Sequence, residues 1–150
     1  MTRLADEVEK SEDSVRLRLW GDAVDLAKAT PALGTGLDTF GVMYPLVRTI
    51  RQPVVFTHAE SDWVQVFTDA GVTGLALVLA AGAMIAVHLF RKLRRSQSQW
   101  SRTLALAGLV ALVGMAVQGL ANFNLVVMSN LVFVAMALAI ALAADGRVTS

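Results

Sequence analysis

His58, Ala59, Glu60, Ser61, Asp62, Trp63, Val64 and Gln65 bring an imidazole, two carboxylates, an indole and an amide into one short stretch, and a long apolar run begins a few residues later. Groups able to take a proton, held where a chain enters a membrane, point to chemistry on a lipid-linked substrate. Upstream, Arg48 and Arg51 stand three apart. At that spacing two guanidinium groups share a helical face and can grip a diphosphate, against the plainer reading of two solvated surface charges. Further upstream, Pro31-Ala32-Leu33-Gly34-Thr35-Gly36-Leu37-Asp38-Thr39-Phe40 carries two glycines two apart, which allow a turn that side chains would obstruct. Such a turn can cradle a phosphate through backbone amides, but it is more often only a turn, and the longer dinucleotide-binding pattern is missing.

The elements that must position these groups follow from composition. Apolar residues make up 55% of the chain, and three contiguous runs, 70–90, 103–121 and 125–144, each come near the roughly 20 residues a helix needs to cross a bilayer. No Asp or Glu lies between Asp69 and Asp145, as hydrocarbon requires of residues with no partner. The first 69 residues carry eleven of the twelve acidic residues and seven of the thirteen basic ones, the balance of a solvated segment. The expected architecture is an all-α membrane protein: an outer-face region over 1–69, then a three-span region over 70–150. Absence of Cys excludes disulfides and thiolate metal sites, and two histidines, His58 and His88, are too few for a histidine cage. No cofactor is implied, and the chain lacks the large soluble basic surface that nucleic-acid binding needs.

Arg91, Lys92, Arg94, Arg95 and Arg102 form a basic cluster free of acidic residues, read as a loop over 91–102. By the positive-inside rule that loop is cytoplasmic and touches anionic headgroups, which puts residues 1–69 on the periplasmic or outer side. The N-terminal segment shows no signal-peptide pattern. The simplest resolution is that the chain is the C-terminal part of a longer polytopic protein, whose missing N-terminal transmembrane helices deliver the segment outside. Val15, Leu19, Trp20, Ala23, Val24 and Ala27 recur at helical spacing, predicting an amphipathic helix over 14–29 that Ser11 or Ser14 caps and Pro31 ends. Trp20 reads as part of a face packed on the domain or lying at the membrane interface, against the reading of ligand stacking. Within the apolar runs, Gly71, Gly74, Gly108 and Gly114 read as sites of close helix contact.

Taken in order, Arg16-Leu17-Arg18-Leu19-Trp20, the Pro31 to Phe40 turn, the His58 to Gln65 element and the helix start through Gly71 and Gly74 resemble the outer-face loop of the O-antigen ligase and polymerase family. That family shows an Arg four residues before a Trp, a P-x-x-G-x-G-x-x-x-F turn, an H-x-H-N-x-x-L-Q element and an E-x-G-x-x-G helix start. Asn122-Phe123-Asn124-Leu125 looks like its D-F-N-L stretch, so the similarity runs over roughly residues 14–141.

The resemblance implies a metal-independent, inverting glycosyltransferase of a bacterial inner membrane. Its donor would be a polyprenyl-diphosphate-linked glycan, and its acceptor lipid A core in a ligase or another glycan in a polymerase. A diphosphate leaving group calls for fixed cations, and Arg16 occupies the family's Arg position, with Arg18, Arg48 and Arg51 as further candidates. The acceptor hydroxyl calls for a base. His58 matches the family's first histidine, whereas Glu60 stands at the more characteristic second one and is followed by Ser61 in place of Asn. Three readings stay open: His58 is the base, Glu60 is the base with His58 orienting it, or the activity has changed or been lost. Gln65 matches the family and is read either as a sugar contact or as part of the helix start. A non-enzymatic transporter or scaffold fragment, or an inactive remnant, is the alternative from a different class.

Overall fold

The computed structural model of the chain describes residues 2–49, 56–120, 122 and 128–144. Among these residues the structure is all helical: α1 (Thr2–Ala29), the short α2 (Phe40–Met43) followed by a 3-10 turn (Tyr44–Leu46), α3 (Asp62–Arg95), α4 (Gln99–Gln118) and α5 (Met128–Ala143). It divides into two compact units, Met1–Leu75 and Ala76–Ser150, with α3 contributing to both.

In the first unit the apolar stripe of α1 packs as its spacing predicts. Leu19 and Ala23 are fully buried with Phe40, Tyr44 and Ala59, and Val15, Val47, Phe56 and Val64 close over them. Phe40 and Tyr44 stack with ring centroids 5.1 Å apart, and Phe56 meets Tyr44 edge-on at 5.9 Å. The helix is longer than its stripe, beginning at Thr2, so Ser11 and Ser14 lie inside it and do not mark its start. Glu, Lys, Arg and Leu between these positions are good helix formers and carry the helix backward without needing an apolar face.

The unit is organised around a break in α3. Gly71 has φ 65° and ψ −164°, so the helix is two segments meeting at a non-helical residue. In an unbroken helix the amides of Val72 and Thr73 would donate to the carbonyls of Thr68 and Asp69. Here those carbonyls accept instead from Thr35 N (2.9 Å) and Gly36 N (3.0 Å), while Val72 N and Thr73 N donate to Pro31 O (2.9 Å) and Ala32 O (3.3 Å). The glycine turn is thus spliced into the helix ladder, and the backbone groups at the break are satisfied. Its amides are spent on the protein itself, which makes the Gly34–Gly36 segment a structural turn and leaves it no phosphate cradle.

In the second unit, Leu89, Ala105 and Ala141 form a core joined by Ile85, Leu93, Leu109 and Leu138. A Cβ at Gly108 would lie 2.8 Å from that of Ala141, so glycine sets the approach of α4 and α5. Gly114 has open space around it. Two helices, α3 and α4, are long and apolar enough to cross a membrane, and only 6% and 17% of their most apolar windows are buried within the protein. The third expected span, 125–144, falls on α5 and on residues 125–127, the latter outside the described residues; α5 itself rises about 24 Å. The expected basic loop over 91–102 shrinks to residues 96–98, because Arg91, Lys92, Arg94 and Arg95 extend α3 and Arg102 belongs to α4. Arg and Lys favour helix, and cations in a last turn suit the helix dipole. Ser98 caps α4, its hydroxyl accepting from Ser101 N, and Lys92 Nζ donates to the carbonyls of Ala141 and Leu142, both at 2.8 Å.

Gly34 has φ 70°, and a Cβ there would lie 2.4 Å from the Asp69 carbonyl carbon. Gly34→Ala is expected to destabilise the first unit by about 2 kcal/mol or more, read as a lower thermal midpoint in detergent and faster proteolysis at 31–38. Gly82→Ala, in open space, should leave both unchanged.

Candidate functional site

Helix α1 presents Arg16 and Trp20 one turn apart, and together they hold consecutive residues of the segment that leads into α3. The Trp20 indole donates to Ala59 O at 2.9 Å, and Arg16 Nε lies 3.5 Å from Glu60 Oε2. From the other side the buried Gln65 side chain accepts from Ala59 N at 2.8 Å. Ala59 is therefore fixed through both its N–H and its C=O and is itself fully buried, so the residue after it is presented in one position. Glu60 takes a left-handed backbone, φ 53°, uncommon for a residue with a side chain. Such an outlier marks a conformation imposed by its surroundings.

The Arg16–Glu60 pair has each side chain 39% exposed and makes a single approach, not a two-pronged one. Pairs of this kind contribute about 0.2–1 kcal/mol. A doubly charged ligand can therefore draw Arg16 away from Glu60 at small cost. His58, half-buried two residues earlier, has its Nδ1 2.9 Å from the Thr57 hydroxyl. The structure thus brings His58, Glu60, Arg16 and Gln65 into one neighbourhood. Arg18 is exposed and, two positions from Arg16, lies on another face of α1. Arg48 is half-buried beyond the 3-10 turn, close enough for its charge to act on Tyr44. Arg51 lies outside the described residues, so its expected pairing with Arg48 does too.

Gln65 is engaged at both ends of its amide, because its Nε2 also donates to Asp69 Oδ2 at 2.8 Å. Asp69 Oδ2 further accepts from Asp38 N at 3.2 Å, tying the glycine turn to the same carboxylate. Sequence reasoning missed this anchor, and it missed Asp22. Asp22 is 5% exposed on the packed face of α1 and accepts from Tyr44 OH (3.2 Å), Thr49 N (3.0 Å) and Thr49 Oγ1 (2.8 Å). With Asp25 three residues on, Asp22 reads as one of two solvated helix residues. The one available signal was its register, a turn from Leu19 and Leu26 on the buried stripe.

A helical unit that presents a clasped acid–base segment, followed in the chain by two apolar helices long enough to cross a bilayer, defines a membrane protein with a polar unit preceding its spans. The model of the O-antigen ligase family matches residues 2–79, half of the chain and the whole of this site, and the chain belongs to that family. Neither a curated protein nor a solved structure matches it. The family gives the chain a ligase or polymerase role in surface polysaccharide assembly.

Burial pushes the Tyr44 hydroxyl from its ordinary 10.0 up to about 12, the charge and hydrogen bond of Asp22 add to the rise, and Arg48 opposes it. A raised folded value means that this group's contribution to stability is complete below pH 10 and is lost as pH climbs towards 12. The chain has one tyrosine, so tyrosinate absorbance reports it alone. The expected midpoint lies near 12, falling in Asp22→Asn; a native midpoint near 10 would contradict the buried pair.

Proposed function

We propose that the full-length protein transfers a glycan from a polyprenyl-diphosphate donor to a hydroxyl of lipid A core or of another glycan, with inversion at the anomeric carbon. The observation that carries this reading is the meeting of Arg16 with Glu60 inside the segment that matches the O-antigen ligase family. In the reaction the acceptor hydroxyl gives its proton to Glu60 or His58 as its oxygen attacks the anomeric carbon. The bond from that carbon to the diphosphate oxygen breaks, and the electron pair departs with the diphosphate. Arg16, displaced from Glu60, meets the charge that develops on the leaving group. The same displacement frees the Glu60 carboxylate to accept the proton, which favours Glu60 as base and His58 as its orienting neighbour. Arg18, Arg48 and Arg51 supply further positive charge for the donor. Gln65, committed to Ala59 and Asp69, serves as a positioning residue whose contact with sugar is indirect.

Residues 1–69 lie on the periplasmic side of a bacterial inner membrane in this reading, with the cations at the end of α3 facing the cytoplasm. Helix α5 forms a third crossing within a larger bundle whose other helices complete the groove for the donor's polyprenyl tail.

Glu60→Gln and His58→Ala, made singly in the full-length protein, test the chemistry. Loss of the base is expected to lower kcat for glycan transfer by about 10²–10⁴, and loss of an orienting group by less. Transfer unchanged in both variants removes the assignment. Arg16→Glu is expected to weaken binding of the diphosphate donor, and undiminished binding contradicts its role.

A further inference from the structure

Along the last turns of α3, Val87, Phe90, Arg91, Arg94 and Arg95 share one helical face by their three- and four-residue spacing. With Leu109 of α4 they line a groove of about 530 Å³ within the second unit. Its character changes along its length. Val87 and Phe90 are 48% and 47% exposed and make the part nearer the middle of the span, and three exposed arginines make the part at its end. From residue 87 to residue 95 the helix rises about 12 Å, the distance from upper acyl chain to headgroup phosphate. The Arg94 guanidinium sits 4.6 Å from the Phe90 ring centroid, which holds it at the boundary between the two parts.

These cations have no carboxylate to meet in this stretch of chain, since residues 70–144 contain no acidic residue. Among the described residues the ion pairs are Arg16–Glu60 and Lys28–Asp25, both in the first unit. Lys92, from the same cluster, is spent on the carbonyls of Ala141 and Leu142, so the fold itself separates a structural lysine from three arginines that face the groove.

We propose that this groove is a binding site for one anionic phospholipid of the bilayer, its phosphate on Arg91, Arg94 and Arg95 and one acyl chain along Val87, Phe90 and Leu109. Charge selects the occupant: a zwitterionic lipid brings a choline or ethanolamine cation against three arginines, whereas an anionic one leaves its phosphate charge uncompensated. The site is distinct from the Arg16–Glu60 site and does not depend on the glycan chemistry.

The test is native mass spectrometry of the purified full-length protein with dioleoylphosphatidylglycerol or dioleoylphosphatidylcholine. The unmodified protein is expected to retain phosphatidylglycerol about 10-fold more strongly, each cation near an anionic group contributing a factor of about 5 before screening. Arg91→Gln, Arg94→Gln and Arg95→Gln combined should bring the two lipids level, while Arg102→Gln, outside this groove, should leave the preference standing. Because the triple change removes charges that orient the spans, Val87→Trp provides a second route. It fills the apolar half while keeping every cation, and it should cut phosphatidylglycerol retention to the phosphatidylcholine level. Equal retention of the two lipids by the unmodified protein, or full retention by Val87→Trp, overturns the proposal; the latter result would leave only diffuse attraction between headgroups and arginines.

Discussion

The first unit depends on four backbone hydrogen bonds exchanged across the break at Gly71. A helix interrupted in its interior leaves two carbonyls and two amides without their usual partners, and burying them so would cost about 1–3 kcal/mol for each group. The Pro31–Gly36 turn supplies both kinds of group at the required spacing and takes the place of the missing piece of ladder. Everything else in the unit hangs from that splice. The turn fixes where α1 ends relative to the start of α3, Asp69 fastens the turn's far side through Asp38 N, and Gln65 carries the constraint from Asp69 to Ala59. The path from a strained glycine to the presented Glu60 is a short chain of named hydrogen bonds.

The same arrangement sets the position of Glu60. The position is not specified by the side chain, since Ala59 is held through its own backbone by Trp20 and Gln65, and Glu60 inherits its place and its left-handed backbone from that hold. Arg16 then meets the Glu60 carboxylate. The buried Gln65 amide and the part-buried Trp20 indole do the holding, and the charged groups beside them are half-exposed.

Features set by periodicity were legible in the sequence. The stripe from Val15 to Ala27 packs as its spacing predicts, and the α3 and α4 spans fall on the first two apolar runs, because burial imposes a helical repeat that single residues reveal. Ends were less legible: α3 begins at Asp62, before its apolar run, and continues through the basic cluster, since charged residues fit a solvated helix as well as a loop. Gly71 read as a small residue for helix contact. Its true role depends on a turn more than thirty residues away, and nothing local distinguishes the two. Asp22 was hidden for the same reason, as its partners Tyr44 and Thr49 come from another element. The resemblance of motifs in order placed Arg16 and the His58–Gln65 element in one site; their actual contacts needed coordinates.

Helix α5 has no polar side chain from residue 131 to 144, so its apolar surface looks nearly the same after a shift of one turn along its axis. Packing of Ala141 against Gly108 chooses a face but is a weak guide to height. At its C-terminal end the height is held where Lys92 of α3 and Ser101 of α4 reach the carbonyls of Ala141, Leu142 and Ala144. Sliding α5 by a turn would strand an ammonium group and several carbonyl oxygens together. Two side chains thus act as a vernier stop at the C-terminal end, holding the apolar stretch of α5 at a registered depth.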